Sequence, residues 1–251
     1  MRTLKFFDSA NTPPRAVIFM SGSGTNAEKL LESIAKIKNP PWSPAAILTD
    51  NPGSRAAEIA KKYGISLIEH DIKKFYYDNG EAKTSLATER GRYIREKWTD
   101  SMREKLRPLK IDFGILAGFI PLTNICSDFP CLNVHPGDLT VEENERRLLV
   151  GLHTIPIEIA ILRGFTSLRS SVIVAQPYTG GGGEMDSGPI IGLSQDVPVS
   201  LEGITLNELR RIASERPDKK PAGGYKDKLE HVAKINQERL KIHGDWSVFP
   251  P

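Results

Sequence analysis

The run Ala16-Val17-Ile18-Phe19-Met20 passes without a break into Ser21-Gly22-Ser23-Gly24-Thr25-Asn26. That loop leads into apolar positions Ala27, Leu30, Leu31, Ile34 and Ala35 at helical spacing. An unbroken apolar run suits a strand covered on both faces, as in a parallel sheet. The same order then recurs. Ala45-Ala46-Ile47-Leu48-Thr49 reads as a second buried strand, followed by a helix over 56–63 with Ser54 placed to cap it and Gly64 to stop it. Ile65-Ser66-Leu67-Ile68 predicts a third strand. A charged helical stretch carrying Tyr93, Ile94, Trp98, Met102 and Leu106 leads to a fourth strand within 111–118. Alternation of this kind implies right-handed βαβ crossovers and a mostly parallel sheet with helices on both faces.

The rhythm changes after Phe129-Pro130-Cys131-Leu132-Asn133-Val134-His135. Residues 141–150 are charged and show no clear period, and Ile155 to Leu162 predicts an apolar helix. Residues 170–175 and 188–193 read as two strands joined by a glycine-rich loop, a hairpin at one sheet edge. Charged helices are expected over 201–213 and 225–241, the second with Leu229, Val232, Ala233 and Leu240 on one face. The expected organisation is an N-terminal arm over 1–14, an α/β domain over 15–200, and a helical extension over 201–251 packed on the same domain.

Three places carry candidate chemistry. Strand periodicity puts Asn133 and His135 on one face, at the carboxyl end where open α/β sheets bind ligands. An amide donor beside an imidazole suits a developing oxyanion. Gly22, Ser23, Gly24, Thr25 and Asn26 join a buried strand to a helix, so backbone N–H groups and the helix dipole can face an anion, with Thr25 and Asn26 adding side-chain donors. The loop lacks the third glycine of a dinucleotide fingerprint, which favours a phosphate monoester. Asp186 lies at the base of the glycine-rich loop, where a carboxylate can orient an imidazole. His153, before the apolar helix, offers a second imidazole. His70, His231 and His243 lie in charged or terminal stretches and are expected to be solvated.

Composition narrows the class. The chain has 251 residues, a formal charge of +3 and two cysteines, Cys126 and Cys131. The charge is too mild, and too free of basic runs, to suggest a nucleic-acid partner. The cysteines lack the paired spacing of a zinc site, so reduced thiols and no metal are expected. No apolar run reaches transmembrane length, and no membrane partner is expected. These features predict a cytoplasmic protein acting on small molecules, and they leave room for a homo-oligomer.

In order along the chain, the motifs Ser21-Gly22-Ser23-Gly24-Thr25-Asn26, Leu116-Ala117-Gly118-Phe119, Asn133-Val134-His135-Pro136, Gly151-Leu152-His153-Thr154 and Met185-Asp186-Ser187-Gly188-Pro189-Ile190-Ile191 are similar to those of a known family. The chain resembles the 10-formyltetrahydrofolate-dependent formyltransferases, most closely the branch acting on glycinamide ribonucleotide. The resemblance runs from about Ala16 to Pro198. It implies a Rossmann-like α/β fold with a C-terminal edge hairpin. It also implies formyl transfer to a primary amine, as in purine biosynthesis, with 10-formyltetrahydrofolate as cosubstrate and no metal. It gives Asn133, His135 and Asp186 the catalytic positions and Gly24, Thr25 and Asn26 the substrate-phosphate positions. Ile120, Pro121, Leu122 and Thr123, with Asn133, fall where the family binds the folate. Arg95 takes the place of a folate-contacting arginine, with Arg90 and Arg92 as rivals.

Several positions depart from that pattern. Ile120-Pro121 stands where the family usually has Met-Arg, and the proline removes a backbone donor. A longer charged insertion follows Gly137, and Ile173 stands where a histidine is common. Alternative readings are a formyltransferase acting on an amino sugar or other small amine, or a non-catalytic relative that binds phosphate or folate.

Overall fold

The first strand, β1 (Arg15–Met20), is buried from Ala16 onward because a parallel neighbour flanks it on each side. The computed structural model describes residues 12–178, 185–221 and 223–249. Residues 1–11 of the expected arm, and the glycine run 180–183 with Glu184, lie outside them. Helix α1 (Thr25–Ala35) buries Ala27, Leu30, Leu31 and Ile34, the face its apolar spacing requires. Strand β2 (Ser43–Thr49) follows, then α2 (Ala56–Tyr63), which ends on left-handed Gly64 at φ 66°. Ser54 accepts the Ala56 N–H at 3.3 Å. Strand β3 (Ser66–Glu69) completes this side of the sheet.

Helix α3 (Ile72–Asp78) has no counterpart in the sequence reading; Asp71 caps it by accepting the N–H groups of Lys73 and Lys74. Helix α4 (Glu89–Leu106), capped by Thr88, leads to β4 (Phe113–Leu116) and β5 (Cys131–His135). The remaining elements are β6 (Glu142–Glu143), β7 (Arg146–Arg147), α5 (Ile155–Leu162), β8 (Ser167–Leu168), β9 (Ser171–Ala175), β10 (Ile190–Leu193), β11 (Val197–Pro198), α6 (Leu206–Ser214), α7 (Lys228–Leu240) and the short α8 (Trp246–Val248).

Seven strands form the main sheet in the order β10-β9-β5-β4-β1-β2-β3. The pairs β4–β5, β4–β1, β1–β2 and β2–β3 are parallel, and β9 and β10 form the expected antiparallel edge hairpin.

The charged stretch without a period, 141–150, contains a tight hairpin pairing Glu142 with Arg147 and Glu143 with Arg146. Its turn residues Asn144 and Glu145 take φ of 51° and 62°, as a two-residue hairpin turn needs. Helix α6 starts five residues later than expected, because Glu202 and Gly203 adopt positive φ before Thr205 supplies the cap. The start of α7 shifts for the same reason: Gly223, Gly224 and Lys226 have positive φ, and Asp227 caps.

The chain divides into two compact units, with boundaries inside β5 and β9. One holds residues up to Asn133 together with Val174–Pro189; the other holds Val134–Ile173 and Ile190–Phe249. The first unit packs Val17, Phe19, Leu48, Tyr76, Trp98 and Met102 in its core. The second packs Ile157, Ala160 and Ile161 of α5 with Leu209 of α6 and Leu229, Val232, Ala233 and Leu240 of α7. The apolar face read on the last long helix is thus fully buried within that unit.

Candidate active site

Register aligns Phe19, Leu116 and Asn133 across β1, β4 and β5 of the first unit. The carboxyl ends of three adjacent parallel strands therefore lie side by side, and the loops leaving β1 and β4 start beside Asn133. This is the edge where parallel α/β sheets gather ligands.

The loop after β1 is fixed through its backbone. Gly24, at φ 64°, is the N-cap of α1, and no side chain caps that helix end. The N-cap residue thus offers the first N–H groups no side chain, which suits an anion site. A Cβ on Gly24 would sit 2.5 Å from Met20 Cε and 2.6 Å from Ile59 Cδ1, so glycine serves the packing as well as the turn. Arg55 holds the loop from outside. Its N–H donates to Gly22 O at 3.1 Å, and its Nη1 donates to Ser23 O at 3.3 Å. Glu28, in the first turn of α1, would repel an anion, but Arg55 at 3.2 Å and Lys62 at 2.6 Å neutralise it. The hydrogen bond from Lys62 holds the Glu28 carboxyl below its ordinary range.

The segment after β4 is held at several points. Ser21 N–H donates to Gly118 O at 3.2 Å, and Ile120 N–H donates to Ser21 Oγ at 2.9 Å. Arg95 is 4% exposed. Its Nη1 donates to Leu122 O at 2.7 Å and its Nη2 to Thr84 O at 3.3 Å, while Nε finds no partner. The guanidinium lies 5.5 Å from the Tyr76 ring and 5.9 Å from the Trp98 ring. Arg95 is thus a buried brace for the 120–123 backbone, whereas its rivals Arg90 and Arg92 are exposed on α4. Thr123 bonds Thr99 through the hydroxyls at 3.1 Å and accepts Tyr178 N–H on its carbonyl at 3.3 Å. Pro121 costs the segment one donor, and the Ile120 N–H is already committed to Ser21.

Asn133 is half-buried in β5, and Asp186 is half-buried in the turn Met185–Ser187 of the same unit. That turn is pressed against β9: a Cβ on Gly188 would overlap Val174 O at 1.8 Å, so only glycine fits there. His135 ends β5 in the second unit and is 3% exposed. Its Nε2 lies 2.7 Å from Leu149 O, and because a carbonyl can only accept, Nε2 carries the proton of that bond. Gly137 allows this approach, since a Cβ there would meet Leu149 O at 2.6 Å and His135 Nε2 at 3.1 Å. His153 is exposed, with φ 56°, in the turn before α5.

Sequence reasoning missed three participants. Ser21 was read only as the start of the glycine loop, and nothing in the sequence marked Leu149, whose contribution is a carbonyl. Asp50, at the end of β2, is 8% exposed with Oδ1 unpartnered, and burial pushes its carboxyl up from the ordinary value. Its signal was a charged residue directly after a buried strand. His70, expected to be solvated, is 6% exposed. It stacks on Trp98 at 5.2 Å and 2°, and its Nε2 donates to Trp98 O at 2.9 Å. Among the described residues no group of three or more His, Cys, Asp or Glu could hold a metal ion.

Several solved structures similar to this chain are described as phosphoribosylglycinamide formyltransferases or glycinamide ribonucleotide transformylases. The phosphoribosylglycinamide formyltransferase of Brucella melitensis matches with TM-score 0.57 and 23% identity, over 92% of this chain and 95% of that one. The corresponding Bacillus halodurans enzyme matches with TM-score 0.55 and 24% identity, over 91% and 98%. Glycinamide ribonucleotide transformylase 1 of Symbiobacterium toebii matches with TM-score 0.54 and 23% identity, over 91% and 86%. No protein-family model matches the chain, and no curated protein matches its sequence. The chain has the fold of these formyltransferases.

Proposed function

We propose that the protein transfers a formyl group from 10-formyltetrahydrofolate to the primary amine of a small phosphorylated acceptor such as glycinamide ribonucleotide. The observation that carries this reading is the shared edge of the first unit. An uncapped helix N-terminus, the braced segment 118–123, Asn133 and Asp186 all belong to that unit, in the fold of enzymes described by this activity. Gly22 to Asn26 take the acceptor phosphate, and Ile120 to Thr123 with Asn133 take the folate. Arg95 braces that segment. An arginine facing the acidic tail of the folate is then one of the exposed pair, Arg90 and Arg92.

In this reading the acceptor amine attacks the formyl carbon directly, since no serine or cysteine nucleophile accompanies the motif. Asn133 donates to the formyl oxygen as it becomes an oxyanion. His135 stabilises that charge and passes a proton to the folate nitrogen as the carbon–nitrogen bond breaks. Asp186 orients the imidazole and relays the proton lost by the amine. Delivery from Nε2 requires the Leu149 carbonyl to release its bond, which brings the 137–150 insertion into the reaction.

That bond is also the observation favouring the alternative, a non-catalytic binder whose imidazole stays locked. A direct assay separates the two. Glycinamide ribonucleotide and an amino-sugar phosphate are each incubated with 10-formyltetrahydrofolate, and release of tetrahydrofolate is followed. Enzyme-dependent release with either acceptor supports formyl transfer and names the acceptor. Saturable binding of both substrates without release establishes the binder.

A further inference from the structure

Ser21 is the last residue before the glycine loop, and it is the point where that loop is tied to the segment after β4. Its backbone N–H reaches Gly118 O at 3.2 Å, and its hydroxyl oxygen receives Ile120 N–H at 2.9 Å. Asn51 Nδ2 donates to its carbonyl at 3.0 Å. Ser21 is itself 5% exposed. A serine hydroxyl has a single proton, and here its oxygen is accepting from Ile120, so the proton must go to another acceptor. The buried Asp50 carboxyl lies near enough for Ser21 to lower its pKa against the upward push of burial.

Asp50 Oδ1 and Arg95 Nε are both buried without partners. Leaving either group buried without a partner is costly.

Resting on the reading above, we infer that Ser21 couples the two half-sites, so that an anion at Gly22–Asn26 and a folate at Ile120–Thr123 each tighten the other. The physical route is short. An anion at the α1 N-terminus orders the glycine loop. Ser21 is rigidly joined to Gly118 and Ile120 by two hydrogen bonds, so the same ordering fixes the donor segment. A second ligand then pays less to order what the first has already ordered. The coupling is reciprocal by thermodynamic necessity. Ser21 is a positioning residue: it acts through the Ile120 amide and the glycine loop.

The test is a double titration by calorimetry, with inorganic phosphate and 5-formyltetrahydrofolate as probes. Saturating phosphate should tighten 5-formyltetrahydrofolate by about fivefold or more, the low end of typical site–site coupling, and the reverse titration should give the same factor. Ser21→Ala should bring the factor close to one. Ser21→Thr, which keeps the accepting oxygen, should retain the coupling. A purely structural role would instead lower the melting temperature and leave the ratio of the two affinities unchanged. If both probes bind the wild-type chain independently, the coupling is refuted and the functional reading stands. If neither binds, both fall together. Full coupling in folded Ser21→Ala refutes the role of Ser21.

Discussion

The loops at the β1–β4–β5 edge and the helical layer of α5, α6 and α7 both depend on buried or half-buried polar groups, but of different kinds. At the edge, beside the Glu28 ion pairs, side chains bond backbone: Ser21 to Ile120, Arg95 to Leu122, Arg55 to Ser23. In the helical layer, charge meets charge. Arg216 bonds Glu158 at 2.5 Å and Asp227 at 2.7 and 2.9 Å, and lies 4.0 Å over the Tyr225 ring. Holding backbone by side chains fixes loop shape while leaving strand ends and helix N-terminus open to a ligand. Ion pairs fix one element against another and leave little to offer a substrate. The first arrangement suits a site, and the second a scaffold.

The largest effect that would break this contrast lies in the chemistry. Asn133→Ala and His135→Ala should each lower turnover by about a hundredfold or more, with circular dichroism and melting temperature little changed. Near-normal turnover in His135→Ala would remove the imidazole from the mechanism. The scaffold side responds in stability instead. Arg216→Met leaves Glu158 and Asp227 without their cation and should cost about 2 kcal/mol, discounted from the 3–5 typical of fully buried pairs because these side chains keep some exposure. Turnover of the remaining folded enzyme should be unchanged. Next in size is Thr25→Val, which removes one proposed donor to the phosphate and should weaken acceptor binding about tenfold, the worth of a hydrogen bond to a charged group. Gly24 is the wrong position for that test, because its Cβ would strike Met20 and Ile59.

The β1–loop–α1 unit was legible because an apolar run, two glycines and a helical period each point to the same local structure. The edge hairpin was legible for a similar reason. The 142–147 hairpin was not, because its strands carry charge on exposed positions and its turn lacks glycine, using Asn144 and Glu145 instead. At the candidate site, residue types were readable but their engagements were not. Arg95 is an instructive case. The family resemblance suggested a ligand contact, yet Gly91, Ile94, Arg95, Trp98, Thr99 and Met102 form the buried face of α4, so helical spacing alone placed it inside. Leu149 could not have been found, since any residue can present a carbonyl to His135.

Protonation separates the two regions in a second way, with the smallest of the expected effects. Arg216, through its hydrogen bonds, holds the Asp227 carboxyl below its ordinary range, so the stability this pair provides is present above the unfolded carboxylate pKa, about 3.9, and is lost as pH falls through the folded value. His70, stacked on Trp98, responds at higher pH. Burial lowers its pKa from 6.5, outweighing the favourable hydrogen bond to the Trp98 carbonyl. The folded state thus prefers the neutral ring. Its contribution is complete above the unfolded pKa of about 6.5 and declines as pH drops below that value, because the unfolded chain takes up the proton more readily. The melting temperature of the wild-type chain should therefore begin to fall below about pH 6.5, well before the carboxylates titrate. His70→Gln keeps a donor for Trp98 O but cannot titrate, and should flatten this shallow first step while leaving the acid limb below pH 4 in place. An unchanged profile between pH 7 and 5 in that variant would mean that His70 accepts its proton in the folded protein at no cost, and that the stack on Trp98 tolerates a charge.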